Sequence, residues 1–456
     1  MRGMASILLG LLLAGAAGTL WWRCEGEPPA LEAPAELALG RGARTLKISA
    51  HDARSGLREV TATLRQGERT RELSNTRYEG SLASGGSATE PVELELAIDA
   101  RAAELREGEA SLEIALRDWS WASWLGGNRT LVTIPVRVDL TPPRLGVETA
   151  LSYAARGGTG AVAWSLSEAV VLDGVEVAGT FYPGFPFPGS GAAADAPRKG
   201  RRFALYAISR DAPPNPKIQV VAEDAAGNRA AASWPLQFQE RSFVEERIDL
   251  GPRFLEQKVP ELRDAFAISA EDPIAAFQEI NSRVRAADEK RVREIVAKTA
   301  AEPLWDGPFV QWANSEVTSR FAEHRSYFVG EQQVSEAIHY GYDLATLAGA
   351  PVTASNAGRV LYAADLGIYG NCVVLDHGLG LASLYGHLAS FSVAEGDSVT
   401  KGQVLGRSGA TGLAGGDHLH FAILVDGTYV EPKEWWDPKW VREKVDSQMG
   451  TAPPGE

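Results

Sequence analysis

The sequence contains little cysteine and no excess of positive charge. Two cysteines in 456 residues cannot build a disulfide framework. Acidic residues outnumber basic ones by 59 to 45, which gives a net charge of -14, so we expect no nucleic acid partner. With 45% hydrophobic residues the chain is globular rather than disordered, and its length predicts about three or four domains.

Histidine is also scarce, and its distribution along the chain is uneven. There are seven histidines, and five of them lie between His339 and His420. In a β-strand, residues two apart point to the same face, so the H-L-H motif places His418 and His420 side by side, with Leu419 toward the core. Asp343 lies four residues after His339 and shares its face in a strand or in a helix. This clustering predicts a functional site.

The residue types in this cluster suit a metal ion. Two imidazoles and one carboxylate are ligands that zinc accepts, and three protein ligands leave a fourth position for water. With His339, Asp343 and His420 as the ligands, His387 and His418 are left to take a proton or to stabilise charge on a carbonyl oxygen. The residues therefore predict metal-assisted hydrolysis.

Several motifs in this region carry a resemblance to a known family. In chain order they are H-Y-G-Y-D-L-A, Y-G-N-C-V-V-L-D-H-G, L-Y-G-H-L and T-G-L-A-G-G-D-H-L-H-F. Their order and spacing closely resemble the lysostaphin/LytM family of zinc endopeptidases, which cut the peptides of bacterial peptidoglycan. The resemblance covers about 130 residues, from Phe309 to Asp437.

The resemblance implies a small, mostly antiparallel β domain with its site in an open groove. It implies zinc as the cofactor, held by His339, Asp343 and His420, and paired catalytic histidines at His387 and His418. Peptidoglycan stem peptides would be the substrate, and cell-wall remodelling the role. Some relatives have lost ligands and act as scaffolds or activators of other wall hydrolases, which is the alternative function.

A cysteine peptidase is a third interpretation. Cys372 and His387 would form the reactive pair. Cys372 alternates with aliphatic residues in a predicted strand, and this setting gives no reason for the lowered thiol pKa that such an enzyme needs.

The N-terminal segment predicts a membrane anchor. Gly3 to Trp22 is a run of 20 residues without a charge, about the length that spans a bilayer. We expect an uncleaved signal anchor over residues 1–24, with the body in the periplasm or cell-wall space. The alternative is a signal peptide cleaved near Ala14, and hence a secreted protein. A linker rich in proline and glutamate follows over residues 25–37.

Two stretches of similar length repeat a pattern. Asn128, Arg129 and Pro135 recur 100 residues later as Asn228, Arg229 and Pro235. Each copy has a turn between two predicted strands, as in the last hairpin of a β-sandwich, and the turn motifs resemble those of bacterial immunoglobulin-like domains. We predict two such domains, over residues 38–140 and 141–240. They would space the peptidase from the membrane or bind cell-wall or division partner proteins.

The rest of the chain completes a mostly β architecture. Residues 241–303 have apolar residues at helical spacing after a start at Asp272, and they predict a helical connector. In some relatives a preceding segment covers the site with an asparagine on the zinc, for which Asn281 and Asn314 are candidates. The peptidase domain is predicted over residues 304–440, with a tail over 441–456.

Overall fold

The computed structural model describes residues 11, 13, 18, 20–149, 151–191 and 196–450. They belong to two compact units, the first formed by residues 1–143 with 223–229 and the second by residues 144–222 with 230–456. Most of the regular structure is β, arranged mainly as antiparallel sheets. The predicted fold class is therefore confirmed.

The first unit contains a β-sandwich. Its strands are β1 (Ala30–Glu32), β2 (Leu37–Leu39), β3 (Arg44–His51), β4 (Leu57–Gln66), β5 (Arg69–Arg77), β6 (Gly80–Ser81), β7 (Gly85–Gly86), β8 (Val92–Ile98), β9 (Gly108–Asp118) and β10 (Arg129–Val138). One sheet has the order β2–β10–β9–β4–β5 and the other β1–β3–β8, while β6 pairs with β7. A short helical turn, Ala122–Leu125, lies between β9 and β10.

The alternation of apolar and polar residues explains why these strands pack face to face. On β4, Val60, Ala62 and Leu64 are buried, while Thr61 and Thr63 between them are half-buried. Residues from both sheets contribute to a single buried core. Each strand therefore has one face toward this core, which is the pattern of a two-layer sandwich.

The predicted membrane anchor over residues 1–24 is wrong. Among the described residues, no helix combines the length and the apolar character that crossing a membrane requires. Most of the apolar run, and the alternative cleavage site near Ala14, lie outside the described residues. The end of the segment is held by protein groups, because the buried Arg23 side chain donates to the carbonyls of Leu82 at 2.9 Å and Trp119 at 2.7 Å.

A second β-sandwich begins the second unit. Its strands are β11 (Leu145–Val147), β12 (Ser152–Ala155), β13 (Thr159–Val170), β14 (Leu172–Val177), β15 (Thr180–Pro183), β16 (Phe185–Pro186), β17 (Arg198–Ala207), β18 (Ile218–Glu223), β19 (Arg229–Ala232) and β20 (Leu236–Gln239). The sheet orders are β11–β13–β17–β16 and β15–β14–β18–β19, and β12 pairs with β20. Trp164, Phe203 and Val220 are fully buried in its core.

The repeat seen in the sequence has a structural counterpart. Asn128 Nδ2 donates to Asp118 Oδ2 at 2.9 Å, and Asn228 Nδ2 donates to Asp224 Oδ2 at the same distance. In both copies the backbone amide of the asparagine also donates to the aspartate's Oδ1. The two turns are therefore built by the same hydrogen bonds.

The connector is not helical throughout. Glu245–Asp249 forms a strand, β21, which pairs in parallel with a strand of the C-terminal domain. Helical residues then follow as Phe254–Lys258, Val259–Ala265, Pro273–Glu279, Ile280–Val284 and Arg285–Val296, the first and fourth of these with π-type hydrogen bonding. The predicted start at Asp272 is confirmed, because its side chain accepts from the amide of Ala275 at 2.9 Å.

The C-terminal domain is built on an antiparallel sheet. Its strands are β22 (Glu316–Ser319), β23 (Glu323–Val329), β24 (Gln332–His339), β25 (Tyr342–Ala345), β26 (Pro351–Thr353), β27 (Gly358–Asp365), β28 (Asn371–Gly378), β29 (Leu381–Phe391), β30 (Ser398–Val399), β31 (Val404–Ser408), β32 (Leu419–Val425) and β33 (Thr428–Val430). The main sheet has the order β22–β25–β32–β29–β28–β27–β30. A smaller sheet, β21–β23–β24, contains the connector strand.

Short helical segments close this domain and pack it against the second sandwich. They are Gly367–Tyr369 within the domain, then Pro432–Trp436, Pro438–Trp440, Val441–Asp446 and Ser447–Met449. Trp435 is fully buried, and its Nε1 donates to Thr159 Oγ1 of β13 at 3.2 Å. The second sandwich, the connector and the C-terminal domain share one continuous core.

Candidate metal centre

Three strands bring together His339, Asp343 and His420. His339 ends β24, while Asp343 on β25 stands directly opposite His420 on β32. His339 Nε2 lies 2.9 Å from Asp343 Oδ1 and 3.0 Å from His420 Nδ1, and His420 Nδ1 lies 3.0 Å from Asp343 Oδ1. All three residues are buried. Three atoms of types that can bind a metal ion thus converge on one point inside the protein.

The hydrogen bonds around these residues favour a metal ion at that point. His339 Nδ1 must carry its proton, because it faces the Arg320 carbonyl at 3.0 Å, and this leaves a lone pair on Nε2. Two ring nitrogens and a carboxylate oxygen form a donor set that zinc accepts. Ligands bonded to a tetrahedral zinc ion at about 2.0–2.1 Å lie roughly 3.3 Å apart, close to the separations seen here. The residues present therefore fit a metal ion.

Close packing fixes the ring of His420. A Cβ atom at Gly341 would lie 2.6 Å from Cε1 and 2.8 Å from Nε2 of His420. The Gly341 backbone therefore packs directly against the imidazole ring, with no room for a side chain. The Tyr369 ring lies 5.6 Å away between centroids. Burial lowers the pKa of His420 to about 4, so its imidazole is neutral near pH 7, as a metal ligand must be.

Arg325 holds the second oxygen of Asp343. Its Nη2 lies 3.0 Å from Asp343 Oδ2 and 3.4 Å from Glu323 Oε2. Burial would raise the pKa of Asp343, but the surrounding histidines hold it well below its ordinary value, so the carboxylate stays charged. Oδ1 is thereby left for a metal ion. Arg325 could not be predicted from the sequence, because its position on β23 has no spacing relation to His339, Asp343 and His420.

His387 and His418 face the same centre. His387 Nδ1 lies 2.8 Å from the Thr411 carbonyl and His418 Nδ1 lies 2.8 Å from the Gly416 carbonyl. A carbonyl only accepts, so each Nδ1 carries a proton and each Nε2 is available. The two rings are 4.7 Å apart between centroids, and His418 Nε2 lies 3.6 Å from Asp343 Oδ1.

The two histidines differ in the direction of their pKa shift and in backbone strain. Burial, with the nearby charges of His418 and His420, holds the pKa of His387 well below its ordinary value. For His418, burial acts in the same direction, but the hydrogen bond and charge of Asp343 raise its pKa overall. His387 also has a φ of 62°, in the left-handed region that non-glycine residues rarely occupy. Such strain is typical of residues held for function.

Comparison with known proteins assigns this region to a known family. The family model of peptidase family M23 matches residues 337–432. This part of the chain is a peptidase family M23 domain. The match includes all five residues that converge at the centre.

Individual relatives of the M23 domain are known in bacteria. A DD-carboxypeptidase/endopeptidase Mpg of Neisseria meningitidis is 42% identical over 95 residues, which is 21% of this chain and 22% of the relative. The peptidoglycan DD-endopeptidase ShyB of Vibrio cholerae is 36% identical over 116 residues, 25% of this chain and 26% of the relative. The murein hydrolase activator EnvC of Escherichia coli is 38% identical over 106 residues, 23% of this chain and 25% of the relative. The match thus spans about a quarter of each relative.

A cavity of about 350 Å³ lies over the centre of the M23 domain. The connector forms part of its wall, through Leu250, Phe254, Phe277 and Arg285. The glycine-rich segment before His418 contributes Leu413 and Gly415 to the lining of the cavity. The connector is therefore a wall of the site and part of the common core.

The two asparagines considered as inhibitory ligands lie elsewhere. Asn281 Nδ2 donates to Ser335 Oγ at 2.8 Å, and its Oδ1 accepts from Arg285. Asn314 is exposed. Neither asparagine lines the cavity, so the structure offers no support for an asparagine placed on the metal.

The remaining histidines and the buried cysteine take no part in the centre. His377 is fully buried, with Nδ1 2.7 Å from the Ala357 carbonyl and Nε2 2.7 Å from Ser383 Oγ. His324 pairs with Glu245 at 2.7 Å. Burial raises the pKa of the Cys372 thiol far above its ordinary value, which argues against a cysteine peptidase.

Proposed function

We propose that this chain is a zinc-dependent endopeptidase that hydrolyses peptide cross-links of bacterial peptidoglycan. The observation that carries the proposal is the convergence of five side chains in one cavity. Three of them offer ligand atoms within 3.0 Å of one another, and the other two offer an available Nε2. The name of the Vibrio cholerae relative, a peptidoglycan DD-endopeptidase, supports this substrate class.

In this proposal His339, Asp343 and His420 hold the zinc ion. Bound zinc supplies Lewis acidity and a water whose pKa is lowered to about 7. The role of Arg325 is to keep Asp343 in place, because it occupies the oxygen that faces away from the other two ligands.

His387 and His418 handle protons in this proposal. Peptide hydrolysis needs a group that takes a proton from the attacking water and a group that stabilises charge on the carbonyl oxygen. His387 Nε2 has a free lone pair on a neutral ring, whereas His418 lies beside the Asp343 carboxylate, which favours its protonated form. The two rings can therefore serve different steps while they occupy the same cavity.

Removal of the metal ion is expected to abolish activity reversibly. The purified chain should release monomeric muropeptides from cross-linked peptidoglycan, because cutting the peptides separates the glycan strands. A chelator should stop the release, and stoichiometric zinc should restore it, since the site has three protein ligands and an open position. Mass spectrometry of the products would identify the bond that is cut.

The alternative function predicts a different result in the same assay. A scaffold or activator would fold and bind zinc but release no muropeptides, and it would increase release by a wall hydrolase added to the mixture. Because the Escherichia coli relative is named a murein hydrolase activator, the assay includes a mixture with an added wall hydrolase. Release by the chain alone would exclude a purely non-catalytic role.

Substitution of Arg325 is expected to weaken zinc binding. Arg325→Ala frees Asp343 Oδ2, and loss of such a supporting partner costs about 10- to 100-fold in metal affinity. Arg325→Lys should have an intermediate zinc affinity, because lysine keeps the positive charge but lacks the planar guanidinium group with its paired N–H donors. Competition with a zinc-binding dye would measure the affinity.

The matched control for Arg325 is Arg359→Ala. Arg359 is about half exposed on β27 and forms a longer ion pair, 3.9 Å, with Asp376. Its removal should leave zinc affinity unchanged. Equal zinc affinity in Arg325→Ala and the wild type, with both proteins folded, would contradict the supporting role.

A further inference from the structure

Three carboxylates converge in the first β-sandwich, far in the sequence from the M23 domain. Glu25, Asp52 and Asp118 each offer an oxygen, and these oxygens lie within 4.8 Å of one another. The residues are 3%, 5% and 0% exposed. Burying three carboxylates away from water costs folding free energy unless positive charge or hydrogen bonds compensate for the lost hydration.

Two of these carboxylates are held by the backbone. Asp52 Oδ1 accepts from the amides of Ser55 and Gly56, each at 2.8 Å. Asp118 Oδ1 accepts from the amides of Ser120 at 3.0 Å and Asn128 at 2.7 Å. Backbone donors therefore fix the position of both aspartates.

Glu25 differs from them. Its side chain is fully buried, and neither carboxylate oxygen has a hydrogen-bond partner among the described residues. Oε2 lies 3.0 Å from Arg54 Nε in an ion pair, whereas Oε1 has neither a hydrogen bond nor an ion pair. Buried oxygens of this kind are normally satisfied, and one oxygen of Glu25 lies within 4.8 Å of the aspartate oxygens.

The charge of the cluster is unbalanced. When all three are ionised, the carboxylates carry three negative charges, and Arg54 supplies one positive charge. Burial and the neighbouring charges of Asp52 and Asp118 raise the pKa of Glu25, against the opposing effect of Arg54. A divalent cation would balance the remaining two charges.

The second sandwich provides an internal comparison. Asp224 and Asn228 repeat the hydrogen bonds of Asp118 and Asn128, and Asn228 Nδ2 donates to the Asp139 carbonyl as Asn128 Nδ2 does to that of Glu25. Among the described residues, however, Asp224 belongs to no group of three potential ligands. The turn therefore forms without a cluster, and the additional acids of the first sandwich need another explanation.

We propose that Glu25, Asp52 and Asp118 bind a hard divalent cation, calcium in the first instance. Carboxylate oxygens are the ligands that calcium prefers, and it tolerates irregular geometry. Glu25 precedes the first strand of the sandwich, whereas the two aspartates lie in turns after β3 and at the end of β9. The cation therefore fastens the segment before β1 to the body of the sandwich.

The test uses the whole chain with zinc bound, so that calcium is the only metal added. Calorimetric titration with calcium chloride should show one site per chain, and calcium should raise the midpoint of thermal unfolding of the first sandwich. Glu25→Gln keeps the shape of the side chain and removes its charge, and it should weaken calcium binding at least about tenfold. Magnesium chloride, titrated in the same way, would show whether the site distinguishes the two ions.

Glu27→Gln is the matched control. Glu27 is two residues away, its side chain is 77% exposed, and it lies 3.9 Å from the same Arg54. This variant should bind calcium as the wild type does. If the folded wild type takes up no calcium, or if Glu25→Gln binds it equally well, the proposal is overturned and Glu25 is a buried, protonated acid. This test does not measure muropeptide release. A negative result would therefore overturn the calcium site without bearing on the proposed peptidase function.

Discussion

Replacement of His420 by alanine is expected to remove both the bound zinc and the activity. In the proposed site His420 supplies one of three ligand atoms, from a neutral, buried ring. Two ligands do not hold zinc at the concentrations of an assay, and without the ion the attacking water is not activated. Muropeptide release should fall by more than about a thousandfold. Zinc content by atomic spectroscopy and release from peptidoglycan are the two measurements.

His324→Ala is the control for this experiment. His324 belongs to the same domain and lies on β23, but its contacts are with Glu245 and Glu336 rather than with the centre. It should retain zinc and activity. A His420→Ala protein that still holds stoichiometric zinc, or that releases muropeptides at the wild-type rate, would contradict the ligand assignment.

Replacement of His387 is expected to abolish activity while zinc stays bound. His387→Asn is the variant of choice, because asparagine tolerates the left-handed backbone at this position better than alanine does. The substitution removes the available Nε2 and leaves the three ligands untouched. Loss of a general acid or base typically costs about 10²- to 10⁴-fold in rate. The same pattern, zinc retained and activity lost, is expected for His418→Asn.

A double variant tests whether the two histidines act together. If His387 and His418 serve the same transition state, the double variant should lose little more activity than the worse single variant, since residues that act as a unit are not additive. Losses that multiply would indicate independent roles. Full activity in either single variant, with zinc bound, would remove that residue from the proposed mechanism.

The connector determines which deletions and substitutions can be used to test its influence on activity. Phe277 packs against Tyr327 of β23 with 5.1 Å between ring centroids, and β21 pairs with β23. Deleting residues 243–303 would thus expose the core of the M23 domain and remove one wall of the cavity. Point variants at the cavity, such as Arg285→Ala, are the better way to examine the connector's influence on activity.

The predicted membrane anchor shows that a hydropathy pattern alone is insufficient to establish a membrane span. An uncharged run of the right length is necessary for a span, but hydropathy does not show that the run forms one long helix. Here the described residues contain no such helix, and Arg23 at the end of the run is bound to carbonyls of the first sandwich.

The sequence by itself determined the fold class, the repeat and the residues that meet at the centre. Alternation on strands such as β4, the N-cap at Asp272 and the H-L-H spacing are local patterns, and local patterns depend only on backbone geometry. The five site residues could be found because motifs in a fixed order accompany them.

Only the tertiary structure decided what surrounds those residues. Arg325 contacts Asp343 from another strand. The connector reaches the cavity through the parallel pairing of β21 with β23, which no spacing of residues in the sequence predicts. Glu25, Asp52 and Asp118 lie far apart in the sequence and come together because the sandwich folds one end of the chain onto two turns. Contacts between distant residues depend on side-chain direction after folding, and a linear pattern does not contain that information.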